Sequence, residues 1–98
     1  MSAMKRLFQL MAEKKASDIF MSVGAPINIK INGLAVPVNQ TVMTPETLTA
    51  LLYEVLNDKQ KKEYEETLEL NTAFPMEGIG SFRISAFRQK GGPAVVVR

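Results

Sequence analysis

Arg83 and Arg98 are the residues of this sequence best suited to hold a ligand. Both fall in the closing stretch from Gly78 to Arg98, which reads as two β-strands joined by a polar, glycine-rich loop. In the first strand Phe82, Ile84 and Ala86 alternate with Ser81, Arg83 and Ser85, the period of a half-buried strand. Ala94 to Val97 is a short, largely β-branched run, and Arg98 ends it. An arginine in such a strand has two readings. It lies on a solvated face or in a rim ion pair, with little energetic consequence. Or it is a fixed cation aimed at a phosphate or carboxylate, because guanidinium stays charged and presents a planar fork of donors.

Other chemistry is scarce. The sequence has no cysteine and no histidine. Disulfides and zinc–thiolate sites are excluded, and so are the usual general base and the commonest metal ligand. Without them a nucleophile–base pair needs an unusual lysine or carboxylate scheme. Asp18 and the glutamates do not cluster at ligand spacing. There is no GxxxxGK[ST] phosphate loop. Gly78-Ile79-Gly80 and Gly91-Gly92 lack that pattern and a following helix, so they read as turns. The chain by itself is not expected to catalyse a reaction. A net charge of +2 is too small to imply nucleic-acid binding.

The elements that must position the arginines follow from periodicity. Ninety-eight residues, 46% of them hydrophobic, suit one domain with one core. A first helix is predicted over Ala3 to Lys15, with Met4, Leu7, Phe8 and Met11 on one stripe that reads as core. Ser17 to Val23 is a strand with Ile19, Met21 and Val23 on one face and Asp18 and Phe20 on the other. Ile27 to Val38 is a hairpin. Asn32-Gly33 is the preferred pair for a type I′ turn, which sets Ile31 against Leu34, Ile29 against Val36 and Ile27 against Val38, all on one buried face. Pro37 marks an edge strand or its hydrogen-bond-free side.

Thr44 and Pro45 open a second helix as N-cap and first helical residue. Leu48, Leu51, Leu52, Val55 and Leu56 are its core face. A third helix, Lys59 to about Leu68, is mostly charged, with Tyr64 and Leu68 as anchors and Lys59–Glu63, Lys61–Glu65 and Lys62–Glu66 as i,i+4 pairs. It reads as a solvated face or as a docking face for a partner. Asn71 to Met76 is a fourth strand. Three helices and about six mostly antiparallel strands predict an α+β fold.

A five-residue loop from Gln89 to Pro93 would pair Ile84 with Arg98 and put the two arginines on opposite faces. For both to reach one ligand the register must shift by one, and the shift is expected near Gly91-Gly92-Pro93. No apolar run approaches the roughly 20 residues needed to span a bilayer. Met1 to Met11 lacks a signal-peptide core, so a cytoplasmic location is expected. The sequence stops directly after a core-type strand, and more protein is expected after residue 98.

Several motifs together resemble a known family. Ala16-Ser17-Asp18-Ile19-Phe20 is similar to the ASDLH entry of pilus retraction ATPases. Ile29-Lys30-Ile31-Asn32-Gly33 resembles their strand-turn, and Leu56-Asn57-Asp58-Lys59-Gln60 their helix junction. Gly78 to Phe87, then Gln89 and Val97-Arg98, resembles their GxGRFRVxAFxQ…R block. The resemblance covers essentially the whole chain, in family order. The family is the type IV pilus twitching-motility ATPases, PilT/PilU type, within the secretion ATPases. Phe20 at the family's histidine position and the Ile-Ser-Ala-Phe sequence resemble the PilU branch more.

The resemblance implies a PAS-like N-terminal domain over residues 1–98, followed by a RecA-like motor domain with the Walker motifs. It implies ATP and Mg²⁺ as cofactors of the longer protein, with none bound by this part alone. The partners it implies are the motor domain, neighbouring subunits of a homo-hexamer, the inner-membrane platform of the pilus and a second retraction ATPase. It implies a cytoplasmic place, peripheral to the inner membrane at the pilus base. The domain would regulate the motor and clamp its nucleotide during pilus retraction, with Arg83 and Arg98 at positions whose arginines reach the phosphates. A PAS-like small-ligand or protein-interaction module, or the same domain of a pilus-extension or type II secretion ATPase, are the alternatives.

Overall fold

The computed structural model describes residues 2–89 and 91–98. In chain order the elements are α1 (Ala3–Glu13), β1 (Asp18–Ser22), β2 (Asn28–Ile31), β3 (Leu34–Pro37), α2 (Pro45–Tyr53), α3 (Asp58–Thr67), β4 (Glu69–Met76), β5 (Gly80–Gln89) and β6 (Gly92–Val97). The strands form one antiparallel sheet in the order β3-β2-β1-β6-β5-β4. This is the expected α+β, PAS-like architecture, with the first and last strands of the chain paired at its centre.

Each helix begins where its sequence supplies a cap. Ser2 Oγ accepts from Lys5 N–H at 3.3 Å at the start of α1. Glu54 Oε1 takes a second free amide there, that of Met4, at 2.9 Å. At α2, Thr44 Oγ1 accepts from the Thr47 amide (3.1 Å) and Thr47 Oγ1 from the Thr44 amide (2.9 Å), a reciprocal cap. Thr44→Ala therefore costs about 1 kcal/mol, read as a lower urea midpoint at unchanged slope. At α3, Asn57 and Gln60 cap each other in the same way. The first helix is shorter than expected: Lys14 is its C-cap, and Lys15 turns into the left-handed region at φ 54°.

The core lies between the sheet's inner face and the helices. Met4, Phe8 and Met11 of α1 and Leu48, Leu51 and Leu52 of α2 meet Ile19, Met21, Ile29, Leu70, Phe82, Ile84, Val95 and Val97 of the sheet. Phe8 is fully buried, its ring stacked on Phe82 at 4.7 Å and edge-on to Phe74 at 5.7 Å.

The type I′ turn forms as predicted, with Asn32 and Gly33 at φ 51° and 79°. Ile31 faces Leu34, Ile29 faces Val36, and the Val38 amide donates to Ile27 C=O at 2.8 Å. The burial expected of all six residues does not follow: Leu34 is 68% and Val36 36% exposed. Strand β3 is the sheet edge, and the helices do not reach across it. Two expectations for α3 are corrected as well. Tyr64 is buried, but Leu68 is exposed, because it is the left-handed C-cap that ends the helix. No Lys–Glu pair forms on α3 among the described residues. Instead Glu65 accepts from the Tyr53 hydroxyl at 2.8 Å, and Lys61 Nζ sits 5.6 Å from the Tyr53 ring.

The turn between β5 and β6 is tighter than the expected five-residue loop. Gln89 pairs with Gly92, leaving Gly91 and Lys90 between them; Lys90 lies outside the described residues. Gly91 and Gly92 have φ of 99° and 139°, a backbone that only glycine adopts without strain. Pro93 is tolerated because of its place in the ladder. Arg83 and Arg98 exchange both backbone hydrogen bonds, at 2.8 and 2.9 Å. Counting back by twos from Arg98, Pro93 falls opposite Arg88 at a position where the ladder asks for no N–H.

Candidate functional site

The tight turn sets the register that decides the site. Ile84 pairs with Val97, and Arg83 with Arg98 directly across from it. The one-residue shift needed to bring both arginines to one face is present. Because Phe82, Ile84, Val95 and Val97 point into the core, alternation sends Arg83 and Arg98 to the outer face, which no helix covers. Directly opposed side chains on one face start only about 5 Å apart at Cβ.

These two arginines line a small pocket of about 180 Å³ on the outer face, together with Asn71, Ser85 and Val96. Asn71 of β4 is directly opposite Ser85 of β5. Two cations and two neutral hydrogen-bonding side chains thus stand on three adjacent strands. Arg83 is exposed and has no ion-pair partner among the described residues.

Arg98 has one partner. Its Nε donates to Asp18 Oδ1 at 3.1 Å, while its side chain stays 69% exposed. The pairing of β1 with β6, Ile19 against Val97 and Phe20 against Val96, carries Asp18 alongside Arg98. Asp18 is only 15% exposed, and its second oxygen accepts from Ser17 Oγ at 2.7 Å. From the other side Lys30 of β2 is its direct cross-strand partner. The Ser17 hydrogen bond, then the Arg98 guanidinium and the Lys30 charge, hold the Asp18 carboxyl below the usual carboxylate range, against an opposing effect of burial.

This has a pH consequence. A carboxyl whose pKa is lower folded than unfolded adds stability above its unfolded value, and that stability is lost as pH falls through the folded value. The stability difference between the wild type and Asp18→Asn should therefore be constant from neutral pH to about 5, and should shrink below about pH 4. Urea melts across that range measure it.

Asp18, Asn71 and Ser85 were not among the expected site residues. Alternation placed Asp18 on the outward face of its strand and Ser85 beside Arg83. What the sequence lacks is any sign that β1 and β4 lie on either side of the β6–β5 pair. A second concavity, an open groove of about 810 Å³, runs between α1 and α2. Leu7, Leu10, Met43 and Leu51 are among its apolar lining, with Arg6 and Glu13 at the rim. Among the described residues no group of three or more His, Cys, Asp or Glu is placed to hold a metal ion, and no helix is long and apolar enough to cross a membrane.

No family model matches the sequence. The chain is 38% identical over 94 residues to the type IV pilus ATPase PilU of Pseudomonas aeruginosa, covering 96% of this chain and 25% of that protein. It is 36% identical over 92 residues to the type IV pilus retraction ATPase PilT of the same organism, covering 94% of this chain and 27% of that one. The chain thus spans about a quarter of the length of these curated relatives. Its fold superposes on the crystal structure of the pilus retraction motor PilT with bound ADP at a TM-score of 0.84 and 27% identity, over 100% of this chain and 29% of that one. The ATPase DotB of Legionella pneumophila gives 0.72 at 18% identity, over 97% of this chain and 28% of that one, a likeness of fold.

Proposed function

We infer the role of this chain from its kinship: it belongs, as an N-terminal domain, to the type IV pilus ATPases of the PilT and PilU kind. We propose that it clamps nucleotide for an ATP-dependent motor that drives pilus retraction. The observation that carries this reading is the Arg83–Arg98 pair, opposed across β5 and β6 on an open face and flanked by Asn71 and Ser85.

Phosphoryl transfer needs positioning and charge neutralisation more than covalent chemistry. Two permanent cations on a rigid sheet supply both to a phosphate chain presented by another domain. On this reading a RecA-like motor domain follows residue 98 and carries the phosphate loop and the Mg²⁺ site. This chain contributes only hydrogen bonds and charge to phosphate oxygens. Assembly as a homo-hexamer, a cytoplasmic place at the pilus base, contact with the inner-membrane platform and cooperation with a second retraction ATPase belong to the same proposal.

ATP turnover of the Arg83→Ala and Arg98→Ala variants, with the motor domain in place, tests it. Turnover equal to wild type in both ends the phosphate role. The groove between α1 and α2 favours a second reading, a small-ligand or protein-interaction module, because its volume lies in the range of ligand pockets. A melting temperature raised by a metabolite, and unaffected by the arginine variants, would select that reading instead.

A further inference from the structure

We propose that Asp18 is a positioning residue of the phosphate site: it fixes the plane of the Arg98 guanidinium so that the outer edge of the fork faces the ligand. The inference rests on the reading of Arg98 as a phosphate-facing cation.

Four observations support it. The contact is made through Nε, at 3.1 Å, which leaves the two terminal nitrogens of Arg98 for other acceptors. The exposures are unequal: Asp18 is 15% and Arg98 69% exposed, so the acid is the fixed partner and the base the presented one. Asp18 is itself held, because Ser17 Oγ donates to its other oxygen at 2.7 Å. Finally, Asp18 and Arg98 are 80 residues apart and meet only through the β1–β6 pairing, whose register sets them side by side at the end of that ladder.

Charge alone argues the other way. The side chains facing this spot are those of Arg98 just after β6, Arg83 from β5 and Lys30 from β2, with Asp18 the one acidic side chain among them. A carboxylate here weakens the attraction for an anion. Its favourable effect must therefore come from geometry: an untethered arginine gives up more rotamer freedom when it binds. This opposition of signs makes the proposal testable, because Asp18→Asn removes the charge and keeps the acceptor oxygen, while Asp18→Ala removes both.

The experiment compares the 98-residue wild-type chain, amidated at its C-terminus so that no second carboxylate stands beside Asp18, with these two variants. Inorganic tripolyphosphate is titrated at low salt, and the ¹⁵N heteronuclear NOE of Arg98 Nε reports side-chain order. Asp18→Asn should keep Arg98 ordered and bind tripolyphosphate about threefold to fivefold more tightly than wild type. Asp18→Ala should release Arg98, seen as a collapsed NOE, and bind no more tightly than wild type. Asp18→Ala binding as tightly as Asp18→Asn, or an Arg98 NOE equal in all three proteins, overturns the proposal. Affinity indifferent to Arg83→Ala and Arg98→Ala instead counts against the clamping role, and the NOE comparison still decides what Asp18 does.

Discussion

On the proposed clamping role, Arg83→Ala in a protein carrying the motor domain is expected to lower the rate of ATP hydrolysis by about 10²-fold and to leave the melting of this domain unchanged. The magnitude is that of removing one preorganised donor from a site where charge develops in the transition state. The lack of effect on folding follows from the position of Arg83. Its side chain is exposed on the uncovered face and has no ion-pair partner among the described residues. Surface substitutions of that kind stay within about 0.5 kcal/mol. Arg83→Lys restores part of the rate, because it keeps the charge and loses the planar fork. Steady-state turnover and a urea melt on the same preparations check both halves. A full rate in Arg83→Ala removes this side chain from the chemistry. A large loss of stability would mean that its place in the fold has been misread.

Phe8→Ala destabilises the domain by about 3–5 kcal/mol, a large part of the roughly 5–15 kcal/mol that holds a protein of this size together. Phe8 is fully buried and stands between two other rings, stacked on Phe82 and edge-on to Phe74. Removing it opens a cavity between α1 and the β4–β5 hairpin, which those rings fix from the other side. The melting midpoint should fall by at least ~12 °C. The consequence reaches the site, because Phe82 adjoins Arg83 on β5. Loosening the strand on its inner face loosens the arginine on its outer one. Thermal and urea unfolding measure the loss. A loss below about 1 kcal/mol would show that the sheet holds its shape without the aromatic cluster.

The two variants separate the two faces of β5. On the proposed role, one is expected to lower turnover and spare the fold, and the other to destabilise the fold that positions the arginines. That separation follows from the alternation of Phe82, Arg83 and Ile84, which was readable before any coordinates. Local chemistry carried much else. Asn32-Gly33 specified the turn and the pairing of β2 with β3, because both positions need positive φ and the loop has only two residues. Thr44-Pro45 marked a helix start, because a side-chain oxygen must meet amides that the helix cannot satisfy. Each of these signals is complete within a few residues.

The failures share one feature: they needed knowledge of what lies beside a segment. Leu34 and Val36 carry the pattern of core residues and lie exposed, because β3 is an edge beyond the reach of the helices. Leu68 looked like an anchor and is a cap. The Lys–Glu spacing on α3 was right, yet Glu65 went to Tyr53 of the preceding helix; burial, and then that hydrogen bond, push the pKa of the Tyr53 hydroxyl up to about 12.

The amino-acid sequence alone determined the elements, one hairpin's register, the α+β class and the two candidate cations, since periodicity, caps and turns are short-range. Only the tertiary structure decided that those cations share a face, that Asn71 and Ser85 flank them, and that Asp18 holds Arg98. Those facts depend on closing the sheet between its first and last strands and on a glycine-lined turn one register tighter than the count of polar residues implied. Strand partners far apart in the chain are chosen by the whole core at once, and no short stretch records that choice.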